Sequence, residues 1–163
     1  MPPKIALFVD VQNIYYTVRQ AYQAQFNYTA FWNEVSQKGE IVSAYAYAID
    51  RGDPKQRSFQ SFLKQLGFEI KLKPYIQRSD GSAKGDWDVG IALDAFEAAA
   101  EVDTVVLASG DGDFDLLALK CKERFNTHFE VYGVPSLTAT SIIEAASQFN
   151  PIYEPLLMNQ QSR

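Results

Sequence analysis

Apolar positions in this chain switch between a strand-like run and a helix-like period of three to four, several times over. KIALFVD (4–10) is a continuous apolar run, suited to a parallel strand buried on both faces. Residues 13–24 and 29–38 carry helical periodicity, with Asn27, Tyr28 and Thr29 between them and Gly39 after the second. IVSAYAYAI (41–49) predicts the next strand, and RGDP (51–54) breaks the chain before a helix with Phe59, Phe62, Leu63 and Leu66 on its inner face. Gly67 ends that helix, and FEIKLKPYI (68–76) alternates like a strand near a sheet edge. RSDGSAKGD (78–86) is polar and Gly-rich and predicts a loop. Beyond it come a helix over 88–101, a strand over 104–109, a helix over 113–124, a strand over 128–134 and a last helix over about 137–147. Towards the C-terminus, FNPIYEPLL (149–157), which leads into the tail 151–163, is expected to pack and NQQSR to fray.

Short strand-to-helix connections of this kind predict right-handed crossovers. The fold class is therefore α/β, a three-layer sandwich with a mainly parallel central sheet. At 163 residues the chain suits a single domain over 1–163, its core at about 4–150. No apolar run approaches the ~20 residues of a membrane span, and the N-terminus enters strand-like sequence with no signal peptide. The single Cys121 forms no internal disulfide, and no Cys/His cluster offers a zinc site. These readings predict a soluble cytoplasmic protein with no membrane partner.

The chemistry gathers where strands end and helices begin. Asp10 and Asn13 lie in FVDVQN, Asp86 and Asp88 in KGDWDVG, and Asp111, Asp113 and Asp115 in LASGDGDFD. Ligands of an open parallel sheet bind beyond the carboxyl ends of its strands, so acids from separate segments can converge there. Crowded carboxylates resist ionising together unless a cation neutralises them, and hard oxygen ligands favour Mg²⁺ or Mn²⁺. The bland reading of each acid is a helix N-cap or a favourable charge at a helix start. That reading suits Asp86, Asp113 and Asp115 but leaves Asp10 and Asp111, at strand ends, unexplained. Asp88 shares a helix face with Ile91, Ala92, Ala95 and Ala99, whereas Asp94 is rotated away from it. Gly110 and Gly112 allow close approach and unusual dihedrals. A strand-end aspartyl phosphatase would want a second Asp two residues after Asp10, where Gln12 stands.

The net charge of −5 hides an asymmetry: residues 51–84 sum to +5 and residues 85–123 to −8. The basic stretch, with Arg51, Arg78 and Lys84, is a candidate rim for a polyanion, beside the acidic half as a metal centre. Ser109 joins these as a candidate substrate contact.

FVDVQN, KGDWDVGIALDA and LASGDGDFDLLAL, in that order and spacing, resemble the NYN domain of the LabA-like group within the PIN-like nuclease superfamily. The resemblance covers about residues 4–150. It implies a PIN-like, Rossmann-like topology, an acidic pocket and endoribonuclease-type chemistry with Mg²⁺ or Mn²⁺. Asp10, Asn13, Asp88, Asp111 and Asp113 match the family's acidic and amide residues, and Asp94 matches a recurrent acid further along the same helix. The expected activity is metal-dependent hydrolysis of RNA phosphodiester bonds, on single-stranded or structured RNA. The expected ligands are Asp10, Asp88, Asp111 and Asp113, with Asp94, Asp115 and Asp86 behind them and Asn13 orienting a ligand or water. A weakly active RNA-binding or regulatory module of the same fold and a metal-dependent phosphatase are the alternatives, and homo-oligomerisation stays open.

Overall fold

The computed structural model describes residues 2–74, 76–77, 83–84 and 86–159. Along the chain run β1 (Lys4–Asp10), α1 (Val11–Tyr22), β2 (Ala24–Phe26), α2 (Tyr28–Ser36), β3 (Glu40–Asp50), α3 (Pro54–Leu66) and β4 (Glu69–Pro74). A short pair, β5 (Ile76–Gln77) and β6 (Ala83–Lys84), leads to α4 (Asp88–Ala99) and β7 (Thr104–Ala108). A 3-10 turn (Gly112–Phe114), α5 (Asp115–Phe125), β8 (His128–Gly133), α6 (Thr140–Ala145), β9 (Gln148–Pro151) and β10 (Leu157–Asn159) complete it.

Six strands form one sheet in the order β4-β3-β1-β7-β8-β9, and every neighbouring pair is parallel. Counted along the chain this is 3-2-1-4-5-6, so the order reverses between β1 and β7. In such a sheet the cleft at the reversal, beyond the strand ends, is where ligands bind. Strand alternation feeds two cores. Ile5, Leu7 and Val9 of β1 pack with Ile14, Val18, Phe31 and Leu63 on the α1–α3 side. Ala6 and Phe8 face Ile91, Ala95, Leu117 and Cys121 on the α4–α6 side. A three-layer α/β sandwich results. No helix among the described residues is long and apolar enough to cross a membrane.

Four differences from the sequence reading have local causes. β9 follows directly on the stretch where a helix over about 137–147 was expected, in residues that carried no strand signal; its QFNP segment has little apolar content, and its pairing comes from the β8 backbone. The helix itself shrinks to Thr140–Ala145, after a 3-10 turn at Pro135–Leu137. β2 and β10 pair antiparallel across most of the chain, a non-local contact with no periodic signature. The β5–β6 pair falls at the ends of the expected loop. The tail does pack, with Ile152 and Leu156 buried.

Candidate active site

Register brings the first two acidic segments together. Val9 of β1 pairs with Ala108 of β7, so Asp10 and Ser109 leave the sheet side by side. Ser109, fully buried, donates its hydroxyl to Asp10 Oδ2 at 3.1 Å and accepts from Asp111 N at 3.2 Å. Asp10 Oδ1 also accepts from Asn13 N at 3.4 Å, capping α1. Asn13 reaches across in turn: its Oδ1 accepts from Gly110 N at 2.9 Å. Any side chain at Gly110 would place its Cβ 2.9 Å from both Leu137 O and Thr138 Oγ1. Gly110 is therefore required for close packing, not for an unusual dihedral, since its φ is not positive.

The third segment is set by Trp87. Its indole nitrogen donates to Ala48 O at 2.9 Å, and its ring packs on Tyr47 with centroids 5.3 Å apart. A Cβ at Gly90 would lie 2.6 Å from that ring, so the indole lies against the first turn of α4 and fixes where the helix starts. Asp86 and Asp88, on either side of Trp87, are thereby aimed at the sheet's upper rim. Asp86 Oδ1 accepts from Asp88 N at 3.4 Å, a long contact, while the N-cap position itself is Trp87.

Carboxylate oxygens of Asp88, Asp111 and Asp113 lie within 4.8 Å of one another. Asp111 Oδ1 accepts from Asp113 N at 2.9 Å, which places the two in the 3-10 turn. Asp10, Asp86, Asp88 and Asp111 line one open pocket of about 380 Å³, with Asn13 and Arg51 among its other walls. The electrostatics record the crowding. Burial, followed by the neighbouring charges of Asp111 and Asp86, raises the Asp10 pKa from 3.8 to about 6, although the hydrogen bonds from Asn13 and Ser109 oppose this. Asp88 is raised to about 7, first by burial and then by its hydrogen bond with Asp111 and the Asp111 charge. The raised value of Asp88 records how closely the other acids of the cleft approach it.

The donor set fits a hard divalent cation. Ligands of an octahedral Mg²⁺ stand about 3 Å apart when adjacent and about 4.2 Å when opposite, so three oxygens within 4.8 Å of one another are near enough to close on one ion. Carboxylates that hold protons near neutral pH for want of a counter-charge are what such an ion would relieve.

Other expected residues stand elsewhere. Asp94 is six residues along α4 from Asp88, about 9 Å of helix rise. It pairs with Lys71 Nζ at 2.8 Å and accepts from Tyr47 Oη at 2.8 Å. It does not line the acid pocket, in agreement with the rotation argument rather than with the family correspondence. Asp115 is the first residue of α5 and does not line the pocket either. Ser109 is sealed beneath Asp10, so it positions that carboxylate and the 109–111 turn and meets no substrate. Arg51 lines the pocket, whereas Arg78 and the side chain of Lys84 lie outside the described residues. The basic stretch is not one uniform rim: Lys71 is committed to Asp94, and Lys73 lies 4.6 Å over the Trp87 ring and donates to Asp86 O. Trp87 escaped the sequence reading, although a tryptophan between two acids was the available signal.

The NYN domain matches the chain over residues 4–153. This protein belongs to the NYN domain family. The NYN domain is a PIN-like, nuclease-type fold whose members typically use divalent metals, and an acidic cluster is present here. The chain is 28% identical over 159 residues to the low amplitude and bright protein LabA of Synechococcus elongatus, covering 91% of this chain and 83% of LabA. It also superposes on the crystal structure of VPA0982, a Vibrio parahaemolyticus protein of unknown function. There the TM-score is 0.92 at 55% identity, over 96% of this chain and 97% of that one.

Proposed function

We propose that this NYN domain is a metal-dependent nuclease that hydrolyses RNA phosphodiester bonds. The observation that carries the reading is the meeting of Asp88, Asp111 and Asp113 at the point where the strand order reverses. Asp88, Asp111 and Asp113 would hold Mg²⁺ or Mn²⁺. A bound cation supplies charge neutralisation at a scissile phosphate and an acidified water. Asp10, tethered by Ser109 and the α1 backbone, faces the same pocket and presents a fixed acceptor to a water or ligand. Asn13 holds the 109–111 turn against α1, so its contribution is positional. Arg51 stands at the rim, where a phosphate oxygen would need a cation. With the Asp88 carboxyl raised to about 7, a cation would compete with its proton there, so cation affinity is expected to rise with pH.

Digestion of single-stranded and structured RNAs with Mn²⁺, Mg²⁺ or EDTA, beside Asp111→Asn, tests the proposal. Cleavage that needs the ion and disappears in the variant supports it. RNA left intact with both ions, or cleavage undiminished in Asp111→Asn, removes it.

A further inference from the structure

A second pocket, of about 550 Å³, adjoins the acid site and shares Gln12, Tyr16, Ile49 and Arg51 with it. That volume falls within the range of small-ligand sites, which are mostly apolar with a few convergent polar groups. Phe26, Tyr28 and Phe59 form its aromatic floor, and their rings interlock at 4.9 and 5.5 Å. Tyr16 rises at the border between the two pockets, 52% exposed. It is braced edge-on by Tyr15 at 5.1 Å, and Tyr15 in turn accepts from Arg19 at 2.7 Å. A ring this exposed and braced by a second contributes little to the core and leaves a face available for stacking.

Two polar groups of this pocket that are not exposed have no hydrogen-bond partner among the described residues. Tyr28 is 6% exposed and lines the pocket, yet no hydrogen bond engages its hydroxyl among the described residues. Buried tyrosine hydroxyls ordinarily find a partner. No polar side-chain atom of the described residues is both sealed from solvent and unpaired, so this hydroxyl opens on the pocket. The half-buried Gln12 amide is likewise unengaged and lies between the pocket and the acids. Gln56 differs: its side chain accepts from Arg51 N and donates to Ile49 O, and it forms fixed wall. Asp53 is occupied in capping α3 through Lys55 N at 2.8 Å. Arg51 and Lys55 add cationic side chains at the mouth.

Resting on the nuclease reading, we propose that this pocket is a nucleobase subsite for single-stranded RNA. It holds the base next to the phosphate over the carboxylates, stacked on Tyr16 and read along its edge by the Gln12 amide and the Tyr28 hydroxyl. The surroundings fit that occupant. An amide offers a donor and an acceptor together, as a base edge requires, and unstacked bases of single strands are recognised by aromatic stacking and edge hydrogen bonds. The cationic mouth faces the backbone that joins base to phosphate. A purely apolar ligand would leave Gln12 and Tyr28 unsatisfied. A base-paired duplex would keep its bases out of the pocket.

The test separates binding from cutting. Fluorescence anisotropy with the full chain in Ca²⁺, strand integrity checked on a gel, compares short single-stranded RNA with an abasic strand of the same length. Tyr16→Ala is expected to weaken base-containing RNA by roughly five- to a hundredfold, the range for losing one stacked base, and to leave the abasic strand unchanged. Gln12→Ala and Tyr28→Phe are expected to alter the preference among the four bases. Thermal melts confirm that the variants fold; Tyr16 and Gln12 reach solvent, so their replacement leaves the core intact. Equal wild-type affinity for both strands, or no change in Tyr16→Ala, overturns the subsite. If RNA is still cut in Mn²⁺ under that outcome, the nuclease reading survives without it. Base-dependent binding that Tyr16→Ala abolishes, in a protein that never cuts, sustains the subsite and removes the nuclease.

Discussion

Asp10→Asn is expected to stabilise the metal-free protein above pH 6 and to destabilise it slightly near pH 4. Asp10 ends a central strand, half-buried, with Asp111 and Asp86 as its charged neighbours, and its pKa stands at about 6 against 3.8 in the unfolded chain. The sign follows from proton binding. Between about pH 4 and 6 the folded state holds a proton that the unfolded state has released, so stability falls as pH rises through that window. The full gap corresponds to about 3 kcal/mol at pH 8, reduced by solvent screening because the pocket is open. Asparagine removes the charge and keeps one oxygen acceptor. Either the cap to Asn13 N or the bond from Ser109 is then lost, which costs about 1 kcal/mol. The balance is a gain of about 1–2 kcal/mol at pH 8 and a loss of about 1 kcal/mol near pH 4, where the wild-type carboxyl is already protonated.

Urea denaturation followed by tryptophan fluorescence, in EDTA at both pH values, reads this crossing. A variant less stable than wild type at pH 8 would show that Asp10 acts only as a helix cap. A difference of the same sign and size at both pH values would show that crowding does not reach it. Either result removes the electrostatic argument for a cation site.

Millimolar Mn²⁺ should raise the wild-type Tm through linkage, more at pH 8 than at pH 6, and should do so much less in Asp111→Asn; differential scanning fluorimetry is sufficient. Asp94→Ala should cost about 1–2 kcal/mol, by breaking the contacts to Lys71 and Tyr47, and should reduce the Mn²⁺-induced Tm shift far less than Asp111→Asn does. A lost shift would place Asp94 in the site after all. Gly110→Ala forces its Cβ against Leu137 O and Thr138 Oγ1, so a loss of about 1–3 kcal/mol together with the Mn²⁺ response is expected. Cys121 is buried, and burial raises its thiol to about pH 11, so thiol reagents should label it only at the rate of unfolding.

What was legible in the sequence was whatever local pattern controls. The apolar run of β1, the alanine-rich face of α4 and the strand before Ser109 each carry their own burial signal, and the parallel character of the sheet, though not its strand order, follows from strands alternating with helices. Asp10, Asp88 and Asp111 could be placed together because each lies next to such an element. The missed pieces depend on distant partners. β9 is polar and exists through pairing with β8; β10 needs β2. The aromatic pocket draws on α1, β2, α2, β3 and α3, and neither Tyr16 nor Gln12 looks unusual in its own segment. Ser109 was read as a substrate contact because it borders the acids; only register reveals that it lies beneath them.

Asp94 shows how far a motif correspondence reaches. Helical rotation put it off the Asp88 face, and resemblance to the family put it back among the acids. Its contacts favour rotation, but they also give it a part in the site. Asp94 holds Tyr47, and Tyr47 packs on Trp87, whose indole is anchored to Ala48 O and lies over Gly90. Trp87 determines where α4 begins, and therefore where Asp86 and Asp88 point. Asp94 is thus coupled to the carboxylate cluster without touching its pocket, as a brace on the ring that aims Asp86 and Asp88. The same logic holds on the other side of the cleft. Asn13 binds Gly110 N, which holds the β7-end turn against α1, and Asp111 follows one residue later. Both walls of the acid pocket are therefore positioned by side chains whose own polar atoms are already spent on the scaffold. The carboxylates of Asp10, Asp88, Asp111 and Asp113 take part in no salt bridge among the described residues, and those of Asp88, Asp111 and Asp113 stand within 4.8 Å of one another.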